Sequence, residues 1–121
     1  MIVLGLLAAI AVPVFLSQRG KAHDTATKAD VSSFGKELVT YWIGATTPPV
    51  LDYSTPGSVR ITDGSTTTYA RLTVGSRAPL TGSSSDLDQP QGWCVALTDS
   101  EGSVKTFKYT ALDGLGTGSC P

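Results

Sequence analysis

The sequence predicts an α+β fold in which one long N-terminal helix packs on a roughly four-stranded antiparallel sheet. The first observation is a helical pattern without a turn signal from residue 2 to about residue 43. The second is a change, from Val50 onward, to short β-like segments separated by Gly, Asp, Ser and Pro. The third is the length of 121 residues, which suits one small domain with a protruding helical stem.

The predicted helix has two parts of different character. Residues 1–16 carry no charged or polar side chain, so this half is apolar. Beyond it, apolar residues at intervals of three to five positions predict an amphipathic half that packs on a sheet. This apolar face consists of Ala22, Ala26, Ala29, Phe34, Leu38 and Trp42. Gly44 is a suitable C-cap, and Pro48 prevents continuation.

The length of this helix implies that its apolar half protrudes. At about 1.5 Å per residue the helix is about 60 Å long, which exceeds the diameter of a domain of this size. The sequence therefore predicts a hydrophobic stem of residues 1–25 and a globular part of residues 26–121.

The second half of the chain predicts two β-hairpins. Four segments are rich in β-branched and aromatic residues: 58–62, 67–74, 93–98 and 104–110. The turn pair Asp63-Gly64 separates the first two segments, and residues 99–102 separate the last two. Residues 75–90 are rich in Ser, Gly, Asp and Pro, which predicts a surface loop. The glycine-rich tail of residues 113–121 is predicted to be irregular unless Cys120 is tied to the domain.

The apolar segment and its polar exit have a specific residue order. The apolar part is Gly5-Leu6-Leu7-Ala8-Ala9-Ile10-Ala11-Val12-Pro13, and the exit that follows it directly is Val14-Phe15-Leu16-Ser17-Gln18-Arg19. The pattern continues with Lys21-Ala22, Asp24 and Lys28-Ala29-Asp30. This stretch resembles the N-terminal stem of type IV pilins, because both the spacing from glycine to proline and the polar exit are reproduced. The exit FLSQRGKA is similar to that of pilins from Gram-positive bacteria.

The resemblance implies that the chain is the structural subunit of a type IV pilus with the pilin roll fold, used for adhesion, motility or DNA uptake. Its implied partners are identical subunits in a helical filament, the membrane before assembly, the pilus assembly machinery, prepilin peptidase, and DNA or surfaces. Its implied location is a filament outside the cell, with the unassembled subunit in the cytoplasmic (inner) membrane. The filament-assembly surface would consist of Ile2, Val3, Leu4, Gly5, Leu6, Leu7, Ile10, Val12, Pro13, Val14, Phe15 and Leu16. No enzymatic activity and no cofactor are expected.

The beginning of the chain departs from the family pattern. Mature pilins begin with an N-methylated aromatic residue in a motif like FTLIE, after a leader ending in Gly. Met1 corresponds to a position about nine residues inside that N-terminus, so the family's stem glutamate has no counterpart here. Residues 1–16 rise about 24 Å as a helix, less than the roughly 30 Å of a bilayer core. A secretory signal peptide is the alternative for this segment, although it has no basic residues before it.

Pro13 and Gly5 weaken the stem helix. Pro13 removes a backbone hydrogen bond and clashes with the carbonyl of Ala9, at a cost of about 3 kcal/mol. Gly5 weakens the helix upstream of that carbonyl. These residues predict a kink, and the resemblance implies that the segment from Gly5 to Pro13 becomes extended when subunits assemble.

Two other structural roles fit the same sequence. A pseudopilin of a type II secretion or competence system would share the stem, and a minor pilin at a filament tip would act as an adhesin or DNA-binding module. The second role needs a basic surface, for which the candidates are Arg60, Arg71, Arg77, Lys105 and Lys108. The formal net charge of −1 gives no general electrostatic support for nucleic-acid binding.

Cys94 and Cys120 are predicted to form a disulfide, because an isolated pair in an exported chain is most simply a structural bond. Closing such a loop contributes about 3–4 kcal/mol in the chain-entropy model. In pilins a comparable bond closes a region near the C-terminus, where these two residues fall. A C-x-x-C redox motif is absent from the sequence, and a zinc site would need further Cys or His ligands.

The remaining candidate residues give weak signals. His23, the single histidine, is expected on a charged helix face without a catalytic partner. Asp86-Leu87-Asp88 is a weak candidate for calcium, which needs six or more oxygen ligands, although type II secretion pseudopilins use such a loop. Trp42, Trp93 and the tyrosines are predicted to be core residues or cross-strand pairs. No metal-binding or catalytic residue is therefore assigned.

Overall fold

The computed structural model describes residues 2–55, 57–71 and 81–121, with the side chains of residues 14–55, 57–71 and 82–121. Within these residues the chain forms one helix, α1, from Ile2 to Gly44, followed by seven strands. The strands are β1 (Val50–Asp52), β2 (Ser58–Thr62), β3 (Thr67–Arg71), β4 (Thr81–Ser85), β5 (Cys94–Thr98), β6 (Thr106–Thr110) and β7 (Gly114–Thr117). The predicted α+β class and the long helix are therefore confirmed.

The strands form two antiparallel sheets. The first has the order β1-β2-β3, and the second has the order β4-β5-β6-β7. In the first sheet the predicted turn at Asp63-Gly64 joins β2 to β3, with Gly64 at a φ of 95° and Val59 opposite Ala70. In the second sheet Val95 lies opposite Tyr109 across β5 and β6. Both predicted hairpins are thus present over their described residues.

The expectation of one roughly four-stranded sheet is wrong, because three further strands pair with the hairpins. β4 lies in the segment predicted as a surface loop, and β1 was not predicted. β7 lies in the tail that was predicted to be irregular unless Cys120 is tied to the domain, and Cys120 is tied by its disulfide. β1, β4 and β7 are edge strands, two of them made mainly of Ser, Thr and Gly, so their position depends on backbone pairing rather than β-propensity. The predicted strand residues 72–74, and the predicted loop residues 75–80 with Arg77, lie outside the described residues.

The hydrophobic core lies between α1 and the two sheets. α1 contacts β3 of the first sheet and β5, β6 and β7 of the second. The larger cluster contains Phe34, Leu38, Val59, Ile61, Ala70, Trp93 and Val95, and a smaller one contains Val31, Leu97 and Phe107. The ring of Tyr109 stacks on that of Trp93 with a centroid separation of 6.1 Å, as expected of a core aromatic pair.

The buried face of α1 differs from the predicted face in its first half. Ala22 and Ala29 are exposed, whereas the polar residues His23, Asp24 and Thr27 are buried. The apolar pattern failed here because the first turns of the packed helix face the loop between β5 and β6, where polar side chains find hydrogen-bond partners. From Val31 onward the helix packs with apolar residues, and Phe34 and Leu38 are fully buried as predicted.

Candidate functional site

The N-terminal part of α1 extends beyond the domain. Among its described side chains, those of residues 14–19 are exposed, and Gly20 is the first buried residue. At Gly20 the helix approaches Ser103, in the loop between β5 and β6, so closely that an added Cβ would overlap the serine hydroxyl. The helical segment from Ile2 to Arg19 has a length of about 27 Å at about 1.5 Å per residue.

Three consecutive large apolar side chains lie on this extension. Val14, Phe15 and Leu16 are exposed, with 65% of Phe15 accessible to solvent. Successive residues on a helix are about 100° apart, so these three cover more than half of its circumference. A contiguous apolar surface of this kind is typical of an interaction site. Over the part of the chain that the structure describes, no helix has both the length and the apolar character needed to cross a membrane.

The other predicted assembly residues have side chains outside the described residues, so their exposure stays a prediction. They are Ile2, Val3, Leu4, Gly5, Leu6, Leu7, Ile10, Val12 and Pro13. Their backbone belongs to α1, which runs without interruption from Ile2 through Pro13. The chain is therefore helical across the segment that the resemblance implies would extend on assembly.

Asp24 anchors the base of this extension to the second sheet. Its carboxylate accepts hydrogen bonds from the backbone N–H groups of Ser103, Val104 and Lys105, at 3.1, 2.8 and 3.0 Å. The loop reaches this arrangement with Lys105 at a positive φ of 78°. Burial raises the pKa of Asp24, but the three backbone donors and nearby Lys28 together outweigh that effect, and the pKa is lowered overall.

His23 forms a second link between α1 and the same loop. Its Nδ1 lies 2.8 Å from Oδ2 of Asp99, and its Nε2 lies 3.3 Å from Oε2 of Glu101. Asp99 is fully buried, and its Oδ1 accepts a hydrogen bond from the N–H of Glu101. His23 was expected on a charged helix face, and the charged neighbours that the structure gives it are the carboxylates of this loop, which cover the imidazole ring.

These three residues are also the candidates for metal ligation. The described residues contain one group of three side chains whose possible ligand atoms all lie within 4.8 Å of one another. It consists of His23, Asp99 and Glu101. Asp86 and Asp88, the weak calcium candidates, belong to no such group among the described side chains. Local patterns in the sequence do not reveal this group, because His23 is 76 positions away from Asp99 along the chain.

The structure contains a disulfide between Cys94 and Cys120. Cys94 begins β5 and is buried, whereas Cys120 follows β7, so the bond ties the glycine-rich tail to the centre of the second sheet. A shallow groove of about 220 Å³ beside the bond is lined by Asp86, Trp93 and Lys108, among others.

The basic candidates for DNA binding are divided between the two sheets. Arg60 and Arg71 lie on β2 and β3 of the first sheet, whereas Lys105 and Lys108 belong to the second hairpin. Arg60 also forms an ion pair with Asp52, with a nitrogen–oxygen distance of 3.1 Å. These side chains therefore do not belong to one strand pair.

Replacing Asp24 with asparagine is expected to destabilise the domain by about 1–2 kcal/mol at pH 7, because a neutral amide is a weaker acceptor for three backbone donors. A lowered pKa means that the ionised carboxylate contributes its full stabilisation above the unfolded-state value, near 3.8, and loses it as the pH falls through the folded-state value. The difference between wild type and Asp24→Asn should therefore shrink in acid. Urea unfolding at pH 7 and at successively lower pH measures both effects.

The matched control for this prediction is Asp88→Asn, which neutralises an exposed carboxylate. It is expected to change stability by less than about 0.5 kcal/mol at either pH. An Asp24→Asn variant as stable as the control at pH 7 would contradict the anchoring role of Asp24.

Comparison with known proteins identifies no relative: no protein-family model and no curated protein matches the sequence, and no solved structure matches the fold.

Proposed function

We propose that the chain is the repeating subunit of a filament of the type IV pilus class, held together by packing of α1 against the same helix of neighbouring copies. The observation that carries this proposal is the exposure of Val14, Phe15 and Leu16 on a helix that extends beyond its own domain. A monomer gains nothing from exposing three consecutive large apolar side chains, whereas a polymer buries them.

The energetics of burial support a filament formed by non-covalent contacts. Burying a valine, leucine or phenylalanine side chain contributes about 1.5–3 kcal/mol. Val14, Phe15 and Leu16 together would contribute about 5–9 kcal/mol gross per subunit on this scale. The apolar residues from Ile2 to Pro13, if buried in the same way, would raise this to tens of kcal/mol.

The division of the molecule into an extended helix and a domain with two sheets supports the same proposal. The polar anchors at His23 and Asp24 fix the direction in which α1 leaves the sheets, so every subunit presents its stem at a similar angle. The disulfide and the two sheets form a domain that faces outward. The resemblance to pilins supplies the rest of the proposal: the pilin roll, residence in the cytoplasmic membrane before assembly, extraction by the assembly machinery, and a filament outside the cell.

The substitution Phe15→Glu tests the proposal, because it places a charge in the middle of the apolar surface. We expect it to reduce the amount of filament by at least tenfold, since a buried unpaired carboxylate costs several kcal/mol. The filament is measured as subunit in the sheared surface fraction relative to total subunit, together with negative-stain electron microscopy. Membrane-bound subunit is measured in parallel, so that an assembly defect is distinguished from a failure of membrane insertion.

Leu112→Glu is the matched control, because Leu112 is a large apolar residue that is 80% exposed and lies on the globular domain. It is expected to leave filament yield within about twofold of wild type, since a surface substitution of this kind changes little. Equal filament yields from the two variants would contradict assembly through the stem.

A further inference from the structure

The two ring nitrogens of His23 contact carboxylates at different distances. The 2.8 Å separation between Nδ1 and Oδ2 of Asp99 is that of a hydrogen bond. The separation between Nε2 and Oε2 of Glu101 is 3.3 Å, within ion-pair distance. Each ring nitrogen therefore faces one carboxylate.

The first contact determines which nitrogen carries the proton. Asp99 is fully buried, and its carboxylate can only accept, so Nδ1 donates to it. In the neutral imidazole this leaves an unshared electron pair on Nε2. That electron pair and the carboxylate oxygen of Glu101 are both hydrogen-bond acceptors, so they cannot bond to each other. A cation between them can bind both.

The second contact has the spacing of two ligands on one metal ion. Zinc binds imidazole nitrogen and carboxylate oxygen at about 2.0–2.2 Å. Two such ligands in tetrahedral coordination are about 3.3–3.5 Å apart, which agrees with the observed 3.3 Å. A carboxylate on the other ring nitrogen is the arrangement that orients histidine ligands in metalloproteins.

We propose that Nε2 of His23 and the carboxylate of Glu101 bind a divalent transition-metal ion of the zinc type. Asp99 is the positioning residue, because it holds the imidazole in the tautomer that presents Nε2. Water completes the coordination, since 48% of the Glu101 side chain is exposed to solvent. The ion ties α1 to the loop between β5 and β6 where the stem leaves the sheets. This inference does not depend on filament formation.

Zinc chloride is the probe for the test, added to the full chain in detergent with its disulfide intact. Calorimetry is expected to give one ion per chain. Because His23 is the single histidine, its ¹⁵N imidazole resonances report on the site without overlap. We expect zinc to shift the Nε2 resonance strongly and the Nδ1 resonance weakly, and cobalt(II) to give the visible absorption of tetrahedral coordination.

Two variants and a control identify the ligands. Glu101→Gln keeps the side-chain shape, stays partly exposed and is expected to weaken zinc binding by at least about tenfold. Asp99→Asn is expected to weaken it by a similar factor and also to change the tautomer seen in the ¹⁵N spectrum, which a merely structural residue would not do. The control Asp88→Asn, an exposed carboxylate elsewhere, is expected to bind zinc like wild type.

Three results would overturn the proposal. The first is a wild-type chain that takes up no zinc at millimolar concentration. The second is equal zinc affinity for Glu101→Gln and Asp88→Asn, which would place the ion elsewhere. The third is a ¹⁵N spectrum with zinc in which the Nε2 resonance of His23 does not shift, because Nε2 would then not be a ligand of the ion. Since Glu101 is partly exposed, its variant keeps the test valid even if Asp99→Asn fails to fold.

Discussion

Replacing Gly35 with alanine is expected to destabilise the domain by about 2–3 kcal/mol, although alanine is the better helix former. Gly35 is buried at the contact between α1 and β6. A Cβ placed there would overlap Cγ and Cδ1 of the Tyr109 ring and come too close to its Cβ, which moves little when the side chain rotates. Tyr109 cannot swing away freely, because its ring stacks on the buried ring of Trp93. The helix or the strand must therefore move.

Gly44→Ala is the matched control, since Gly44 is also a glycine of α1. No atom lies within 4 Å of a Cβ added at Gly44, and its φ is not positive. This replacement is expected to be neutral or to stabilise by up to about 1 kcal/mol through helix propensity. Urea unfolding should therefore show a clear loss of stability for Gly35→Ala and no loss for Gly44→Ala. A Gly35→Ala variant as stable as the wild type would contradict the close packing of α1 on β6.

Removing the disulfide is expected to cost about 3–4 kcal/mol, a large fraction of the stability of a domain this small. The bond joins Cys94 on β5 to Cys120 beyond β7, so its loss releases the tail and weakens the pairing of β7 with β6. The variant Cys120→Ala removes the cross-link at a half-buried position, and the double variant Cys94→Ala/Cys120→Ala also removes a buried side chain. Filament yield, by the proposal above, should fall with the stability of this region.

Unfolding of these variants by urea, with and without reductant, measures the contribution of the bond. Reductant should lower the stability of the wild type to about that of Cys120→Ala and leave the double variant unchanged. Hydrogen exchange should become faster in Gly114–Thr117 and remain slow in β2 and β3 of the other sheet. A wild-type chain whose stability does not respond to reductant would show that the bond contributes nothing.

Local signals in the sequence predicted the elements whose causes are local. The end of α1 follows from the prolines after Gly44, and the hairpin of β2 and β3 follows from Asp63-Gly64 between two strand-like segments. In that turn the carboxylate of Asp63 accepts hydrogen bonds from the N–H groups of Ser65 and Thr66. Such a turn is formed by residues that are neighbours in the sequence, so it can be predicted from them.

Elements whose causes are distant in sequence escaped prediction. β4 and β7 are made largely of Ser, Thr and Gly, residues that predict loops, and they become strands because the edges of β5 and β6 offer unpaired backbone groups. The burial of His23 was not predicted for a similar reason, since its cover comes from Asp99 and Glu101 in a loop far along the chain.

The sequence by itself determined the long helix, the apolar character of its first half, the two hairpins and the cysteine pair, because composition, turn residues and periodicity act over a few neighbouring positions. Only the tertiary structure decided that there are two sheets, that Gly35 must lack a side chain, and that His23 and Asp24 are buried. A polar group can be buried only where a partner satisfies it, and the partners of these residues are 76–81 positions away.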